Sequence, residues 1–315
     1  MTTTTDLRGK LYDEGIVALE RALPPEWADR LGRDYRPLME AALNRPRGTI
    51  ARGPNRFYHA VHPEQLDGFV ELIAQPLIGR LLADVLGEDW QLVEVGFDTA
   101  LPGAVDQPWH RDFPTPDETS ARGVLHSLAL NTCTIDGTDD CAPFEIAPGT
   151  QWDDDRTFAE GRCVPPGELG RYEQLARRRL PSRGDVSCRT PLAVHRGTAN
   201  RTQTVRPVMV VGVVAGYLEQ APWHRLTMTR GYLHDLPSET KRHLRHVTAV
   251  DELEPSTQLH ALSCVGADPR ADQLRGSAQQ QRARGFSSRW RIRWRSYSRR
   301  DMTACSGWSR RMCAT

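Results

Sequence analysis

The 315-residue chain contains no C-x-x-C pair: its seven cysteines (133, 141, 163, 188, 264, 305 and 313) are scattered and odd in number. This excludes a zinc module of paired cysteines and argues against a disulfide scaffold, so the thiols are expected to be reduced. Long apolar runs are missing too. The longest, Pro207 to Leu218, is too short to cross a bilayer, and the polar start Met1 to Asp6 lacks the basic opening of a signal peptide. No membrane partner is expected, and the expected location is cytoplasmic. Internal repeats are absent, and so is the strand–helix alternation of a parallel α/β sheet.

Charge of one sign is nearly missing from the C-terminal part. From residue 256 onward there are twelve Arg, no Lys and three Asp, so a net charge of +1 hides about −8 over residues 1–255. The division expected is one main domain over 1–255 and a basic Arg/Ser/Trp-rich tail over 256–315. Arg289-Trp-Arg-Ile-Arg-Trp-Arg295 has the residue types that pair with phosphates and stack on bases. It carries no period, and the tail is expected to be a disordered extension.

What is present is a helical start followed by strands. Leu11 to Glu20 reads as a short strand, and Trp27 to Asn44 as an amphipathic helix with apolar residues at Trp27, Leu31, Tyr35, Leu38, Met39 and Leu43. Pro63 to Gly87 reads as helical and broken at Pro76. Strands are expected at Gln91–Leu101, His126–Ile135, Phe144–Ala147, Gly184–Arg189 and Val205–Gly216, with a charged loop and helix over Asp153–Arg179. Six or more strands behind a helical layer predict a mainly β fold with flanking α-helices, an antiparallel sandwich. Thr49 to His62 has no helical period. It is a surface loop or hairpin, or a flap that meets substrate through Arg52, Asn55, Arg56 or Tyr58.

The chemistry concentrates in Gln107-Pro-Trp-His-Arg-Asp-Phe113 and Val194-His-Arg-Gly-Thr-Ala-Asn-Arg201. In a strand, residues i and i+2 project to one side, so His110 and Asp112 are placed to share one metal ion. Two imidazoles and a carboxylate on one face of an octahedral ion leave the other face open, which suits Fe(II). The third ligand must come from elsewhere, with His195 the candidate. A bare His-x-acid arises by chance, and His62-Pro63-Glu64 is such a case, where the proline marks a helix start.

Read in order, the features are a strand ending in Pro102-Gly103, the Gln-x-Trp-His-x-Asp stretch, Ala129-Leu-Asn-Thr132, Pro148-Gly-Thr150, Gly184-Asp185 and His195 to Arg201, then Arg206. This order resembles the phytanoyl-CoA dioxygenase family of Fe(II)/2-oxoglutarate oxygenases, ectoine hydroxylase-like members included, over roughly residues 12–250. The resemblance implies a double-stranded β-helix (jelly roll). It implies His110, Asp112 and His195 as iron ligands and Arg206 as the group that grips the distal carboxylate of 2-oxoglutarate. Thr198 and Thr99 are further candidates for hydroxyl contacts to that co-substrate. A guanidinium forks onto a carboxylate with two charge-assisted bonds, which suits the role given to Arg206. The family's usual Asn-Gly-Pro-Leu and Pro-Gly-Ser-His stretches are here Cys141-Ala-Pro-Phe144 and Pro148-Gly-Thr-Gln151. Halogenating relatives lack the carboxylate, so Asp112 favours hydroxylation-type chemistry.

The expected activity is oxidation of a C–H bond of a small molecule by Fe(II), 2-oxoglutarate and O₂, releasing succinate and CO₂. Antibiotic or other specialised-metabolite tailoring is the expected setting. Trp223 and His224, after the longest strand, are candidates at the pocket mouth. The expected state is a monomer or homodimer, without nucleic acid. Two rivals remain: a cupin-like metal protein that needs no 2-oxoglutarate, and a nucleic-acid-binding protein acting through its basic tail.

Overall fold

The computed structural model describes residues 4–219 and 226–256. Helix α1 (Thr4–Glu14) leads into strand β1 (Ile16–Leu19). This corrects the strand expected from Leu11. Leu7 and Leu11, a helical turn apart, both enter the core. Gly15, at φ 77°, then ends the helix, its N–H donating to Leu11 O. A Cβ there would stand 2.8 Å from that of Ala193, so glycine also lets the minor sheet approach.

Helix α2 (Pro25–Leu43) starts at Pro25 and buries Trp27, Leu31, Tyr35 and Met39, the stripe its period predicts. The segment 49–62 is a hairpin of β2 (Ile50–Ala51) and β3 (Arg56–Ala60). A 3-10 turn at Pro63–Gln65, capped by His62, accounts for the chance His-x-Glu. Helices α3 (Phe69–Ile73) and α4 (Pro76–Leu86) follow, parted at Gln75, whose side chain accepts from Ile78 N at 2.8 Å.

Strand β4 (Gln91–Ala100), a short helix α5 (Asp117–Arg122), β5 (Ser127–Cys133) and β6 (Phe144–Ile146) come next. The charged segment folds as α6 (Leu169–Leu175) and β7 (Arg177–Arg179), the latter a strand that its three arginines conceal. Strands β8 (Val186–Arg189), β9 (His195–Gly197) and β10 (Arg206–Val214) complete the sandwich. Beyond it, β11 (Leu226–Thr229), α7 (Arg230–Asp235), α8 (Ser238–Lys241) and β12 (Val247–Val250) form an unforeseen parallel-strand appendage.

The major sheet runs β1-β8-β5-β10-β4-β3-β2, antiparallel throughout, and the minor sheet runs β7-β6-β9. This is the mainly antiparallel jelly-roll sandwich with flanking helices that the sequence predicts. One face of the major sheet packs on the helices, with Leu92, Phe97, Leu130, Cys188, Met209 and Val211 against Trp27, Leu31, Leu81 and Leu82. The other face looks across a cavity at the minor sheet. Among the described residues, no helix is long and apolar enough to cross a membrane. Buried Cys133, Cys141 and Cys188 are free thiols. Except for Ser256, the expected tail lies outside the described residues.

His59, on the helix-facing side of β3, is 1% exposed, stacks on Phe97 at 5.5 Å, and has no hydrogen-bond partner at either ring nitrogen. Burial, with Arg45 adding, pushes its imidazole down to about 3. A histidine kept neutral in the folded state favours folding above its unfolded pKa and opposes it as pH falls from about 6.5 towards 3. Denaturant titrations of wild type and His59→Phe should therefore agree in slope near neutrality. Below it, wild type should lose stability faster by about 1 kcal/mol per pH unit. Parallel pH curves would show that His59 is not the buried neutral group described.

Candidate metal centre

Residues 107–112 form no regular strand, against the expectation from the sequence; they run beside β9 and join it through one isolated bridge, His110 with His195. His110 N–H donates to His195 O at 3.0 Å and His195 N–H returns the bond to His110 O at 2.9 Å. Paired residues in an antiparallel ladder project to the same side, so both imidazoles stand together, ring centroids 4.6 Å apart. Two residues on, Asp112 projects the same way, anchored by its N–H to Pro191 O at 3.0 Å. Arg111, between them, points to the opposite side. It is fully buried and donates to Thr150 O and Asp153 O, each at 2.8 Å. The segment is thus clamped behind while His110 and Asp112, its two candidate ligands, face the cavity.

Donor atoms of His110, Asp112 and His195 all lie within 4.8 Å of one another. Each imidazole has its Nδ1–H directed at a backbone carbonyl, His110 to Pro108 O at 2.8 Å and His195 to Ala193 O at 2.9 Å. That arrangement presents both Nε2 lone pairs to the same space, as metal ligation requires. Burial, with repulsion from His195, pushes the His110 imidazole down to about 3, so it is neutral near pH 7. Burial raises the Asp112 carboxyl, but Arg189 and His195 more than offset this and hold it well below the usual carboxylate range. A neutral His110 imidazole and an ionised Asp112 carboxylate are protonation states that a divalent ion needs.

Arg206 opens β10 on the cavity face of the major sheet, across the cavity from the minor sheet. It is 5% exposed, its Nη2 reaches only Cys133 Sγ at 3.6 Å, and its Nε has no partner. Among the described residues no carboxylate pairs with it, so a buried guanidinium awaits an anion in the cavity that holds the triad. The donor set and this guanidinium together fit a facially bound metal with a carboxylate-bearing co-substrate.

The phytanoyl-CoA dioxygenase (PhyH) family model matches residues 11–208, well over half of the chain. The chain belongs to that family. Members are Fe(II)/2-oxoglutarate-dependent enzymes, and the match is to the family as a whole, not to an ectoine hydroxylase-like branch. No curated protein matches the sequence. Among solved structures, AviO1 from Streptomyces viridochromogenes Tue57 is similar with a TM-score of 0.52 and 17% identity, over 70% of this chain and 99% of that one. The epimerase SnoN, in complex with Fe³⁺, α-ketoglutarate and nogalamycin RO, gives 0.55 and 17% over 82% and 95%. HygX from Streptomyces hygroscopicus, with nickel and 2-oxoglutarate bound, gives 0.52 and 13% over 72% and 91%. At these identities the likeness is one of fold.

Within this PhyH domain the other expected residues divide. Arg52, Arg56 and Tyr58 of the hairpin line the cavity with the triad, while Asn55 sits in the turn, its side chain donating to Pro102 O at 3.2 Å. Arg56 is 1% exposed and donates to Thr198 O at 2.6 Å and towards Asp98 at 3.4 Å. Its guanidinium occupies the space above Gly197, where a Cβ would come within 2.6 Å of Nη1. Tyr58 donates to Glu94 Oε1 at 2.5 Å. The Thr198 hydroxyl is spent on Pro143 O at 2.7 Å, and Thr99 lies on the helix side of β4, accepting from Tyr35 at 3.1 Å. Neither threonine lines the cavity. Trp223 and His224 lie outside the described residues.

Arg189, Asn131, Glu94 and Phe144 line the same cavity and were not singled out as site residues. The signal available was strand parity, because Ser187 and Arg189 alternate with apolar Val186 and Cys188. Asp112→Ala should weaken Fe(II) or Ni(II) binding by more than about 100-fold with an unchanged far-UV spectrum, since even outer partners of a ligand are worth 10–100-fold. Calorimetric titration checks this; unchanged affinity would remove Asp112 from the centre.

Proposed function

We propose that the protein oxidises a C–H bond of a small molecule, with iron held by His110, Asp112 and His195 and 2-oxoglutarate gripped by Arg206. The observation that carries this reading is the buried Arg206 guanidinium, paired with no carboxylate among the described residues, sharing one cavity with the triad. When bound, iron and 2-oxoglutarate supply the oxidative chemistry, with O₂ consumed and succinate and CO₂ released.

The chain's own residues bind, orient and exclude water. The two Nδ1–H bonds fix both imidazoles, and Arg206 takes a carboxylate in two charge-assisted bonds. Val208 and Val210 of β10 and Phe144 of β6 are apolar walls near these groups. The cavity is about 770 Å³, in the range of sites for drug-sized molecules, which supports a small-molecule substrate. Arg52, Arg56, Tyr58 and Glu94 give its hairpin side the polar groups that orient a substrate. Tailoring of a specialised metabolite is the setting we favour; the likeness to SnoN, described as an epimerase from nogalamycin biosynthesis, supports it.

Under anaerobic conditions, Fe(II) and 2-oxoglutarate added together should give wild type a weak visible charge-transfer band. Arg206→Ala should lose at least about 2 kcal/mol of co-substrate affinity, roughly thirtyfold or more, because a buried charged partner is removed. Arg206→Lys should recover part of it, keeping the charge without the fork. A wild type that binds iron but gives no band would favour a cupin-like metal protein, and an Arg206→Ala variant with undiminished affinity would remove Arg206 from the co-substrate site.

A further inference from the structure

The charged side chain nearest the triad is Arg189, at the end of β8. It is 7% exposed and faces the cavity in register with Ala129 of β5. Its Nη1 donates to Asp112 Oδ2 at 2.8 Å and its Nε to Asn131 Oδ1 at 3.2 Å, with the guanidinium 5.5 Å from the Phe144 ring centroid. The other oxygen of Asp112, Oδ1, lies 3.5 Å from His195 Nε2. The two oxygens of one carboxylate are thus divided between a guanidinium and the triad.

We infer that Arg189 is a positioning residue that keeps Asp112 a one-oxygen metal ligand. The inference rests on the metal-centre reading above. A carboxylate binds a metal through one oxygen or through both. Here Oδ2 already accepts a short charge-assisted bond, and turning it onto a metal would break that bond and leave a nearly buried guanidinium unpaired. Arg189 has little freedom to follow, because Asn131 holds its Nε and Phe144 covers its plane. The consequence is functional. An octahedral ion with three protein donors keeps three positions free, whereas a second Asp112 oxygen would take one of them. Those positions are what a two-point chelating co-substrate and a further small ligand require. Arg189 would therefore preserve the openness of the centre as well as the orientation of one ligand.

The test is an anaerobic titration of the full chain with Fe(II), then with 2-oxoglutarate, on wild type, Arg189→Ala, Arg189→Lys and Asn131→Ala, with a thermal melt of each. Arg189→Ala should bind Fe(II) about 10–100-fold more weakly. It should also bind 2-oxoglutarate more weakly, with an altered charge-transfer band. Arg189→Lys should recover part of both affinities, and Asn131→Ala should fall between wild type and Arg189→Ala. An Arg189→Ala protein that melts lower but binds both within about twofold of wild type has lost only a structural contact, and the inference is overturned. If Arg189→Ala does not fold, Asn131→Ala decides: unchanged affinities and band there overturn it as well. A wild type that binds no Fe(II) overturns the metal-centre reading and this inference together, whereas variants matching a wild type that binds overturn the inference alone.

Discussion

Two backbone hydrogen bonds, exchanged between His110 and His195, hold the candidate metal centre together. They bring side by side two imidazoles that the sequence holds far apart, and they fix the register that turns Asp112 to the same side. A slip of one residue in this pairing would send His110 and Asp112 behind the minor sheet and bring Arg111 forward. Much of the surroundings guards against that slip. Arg111 is clamped to Thr150 O and Asp153 O, Thr150 Oγ1 accepts from Val194 N at 2.9 Å, and Gln107 Oε1 accepts from Gly197 N at 2.9 Å. The last two contacts bracket His195 on either side. Side-chain bonds thus supplement the few ladder bonds of the small minor sheet.

The cavity between the sheets is electrostatically uneven, and the unevenness is informative. Arg189 is neutralised by Asp112, and Arg56 by Asp98 and the Thr198 carbonyl. Arg206 is left with a thiol. It stands in register with Ala100, as Arg56 does from the other side, so the two guanidiniums flank a small residue. Burial, with repulsion from Arg206 adding and against the pull of Asp98, lowers the Arg56 pKa. An anion bound at Arg206 would relieve that repulsion and satisfy the unpaired Nε. Electrostatic need and empty space coincide at one point, which is why the co-substrate reading is preferred to a metal protein without one.

The sequence carried the parts of this arrangement that depend on short-range spacing. The α2 stripe, the break at Pro76, strands β4 and β10, and the His110/Asp112 pair are all expressed within a few residues. Parts that depend on pairing partners were not visible. Arg177–Arg179 is a strand because β6 pairs with it, not through its own propensity, and Leu11 is helical because Leu7 precedes it on the same face. Thr99 shows the limit most plainly. Its neighbour Asp98 lines the cavity, so a threonine one position away faces Tyr35 and the helices, and only the observed register tells the two faces apart. Arg189 was missed for a related reason, since its partner Asp112 lies on an irregular segment beside β9, far away in the sequence. Arg206 was reached through a family resemblance, and the structure adds its burial and its unpartnered Nε.

The most direct measurement of the central claim is a crystal structure of the full chain grown anaerobically with Fe(II) and 2-oxoglutarate. The account predicts metal density ligated by His110 Nε2, His195 Nε2 and one oxygen of Asp112, with the distal carboxylate of 2-oxoglutarate on Arg206. Metal bound elsewhere, or 2-oxoglutarate bound away from Arg206, would contradict it.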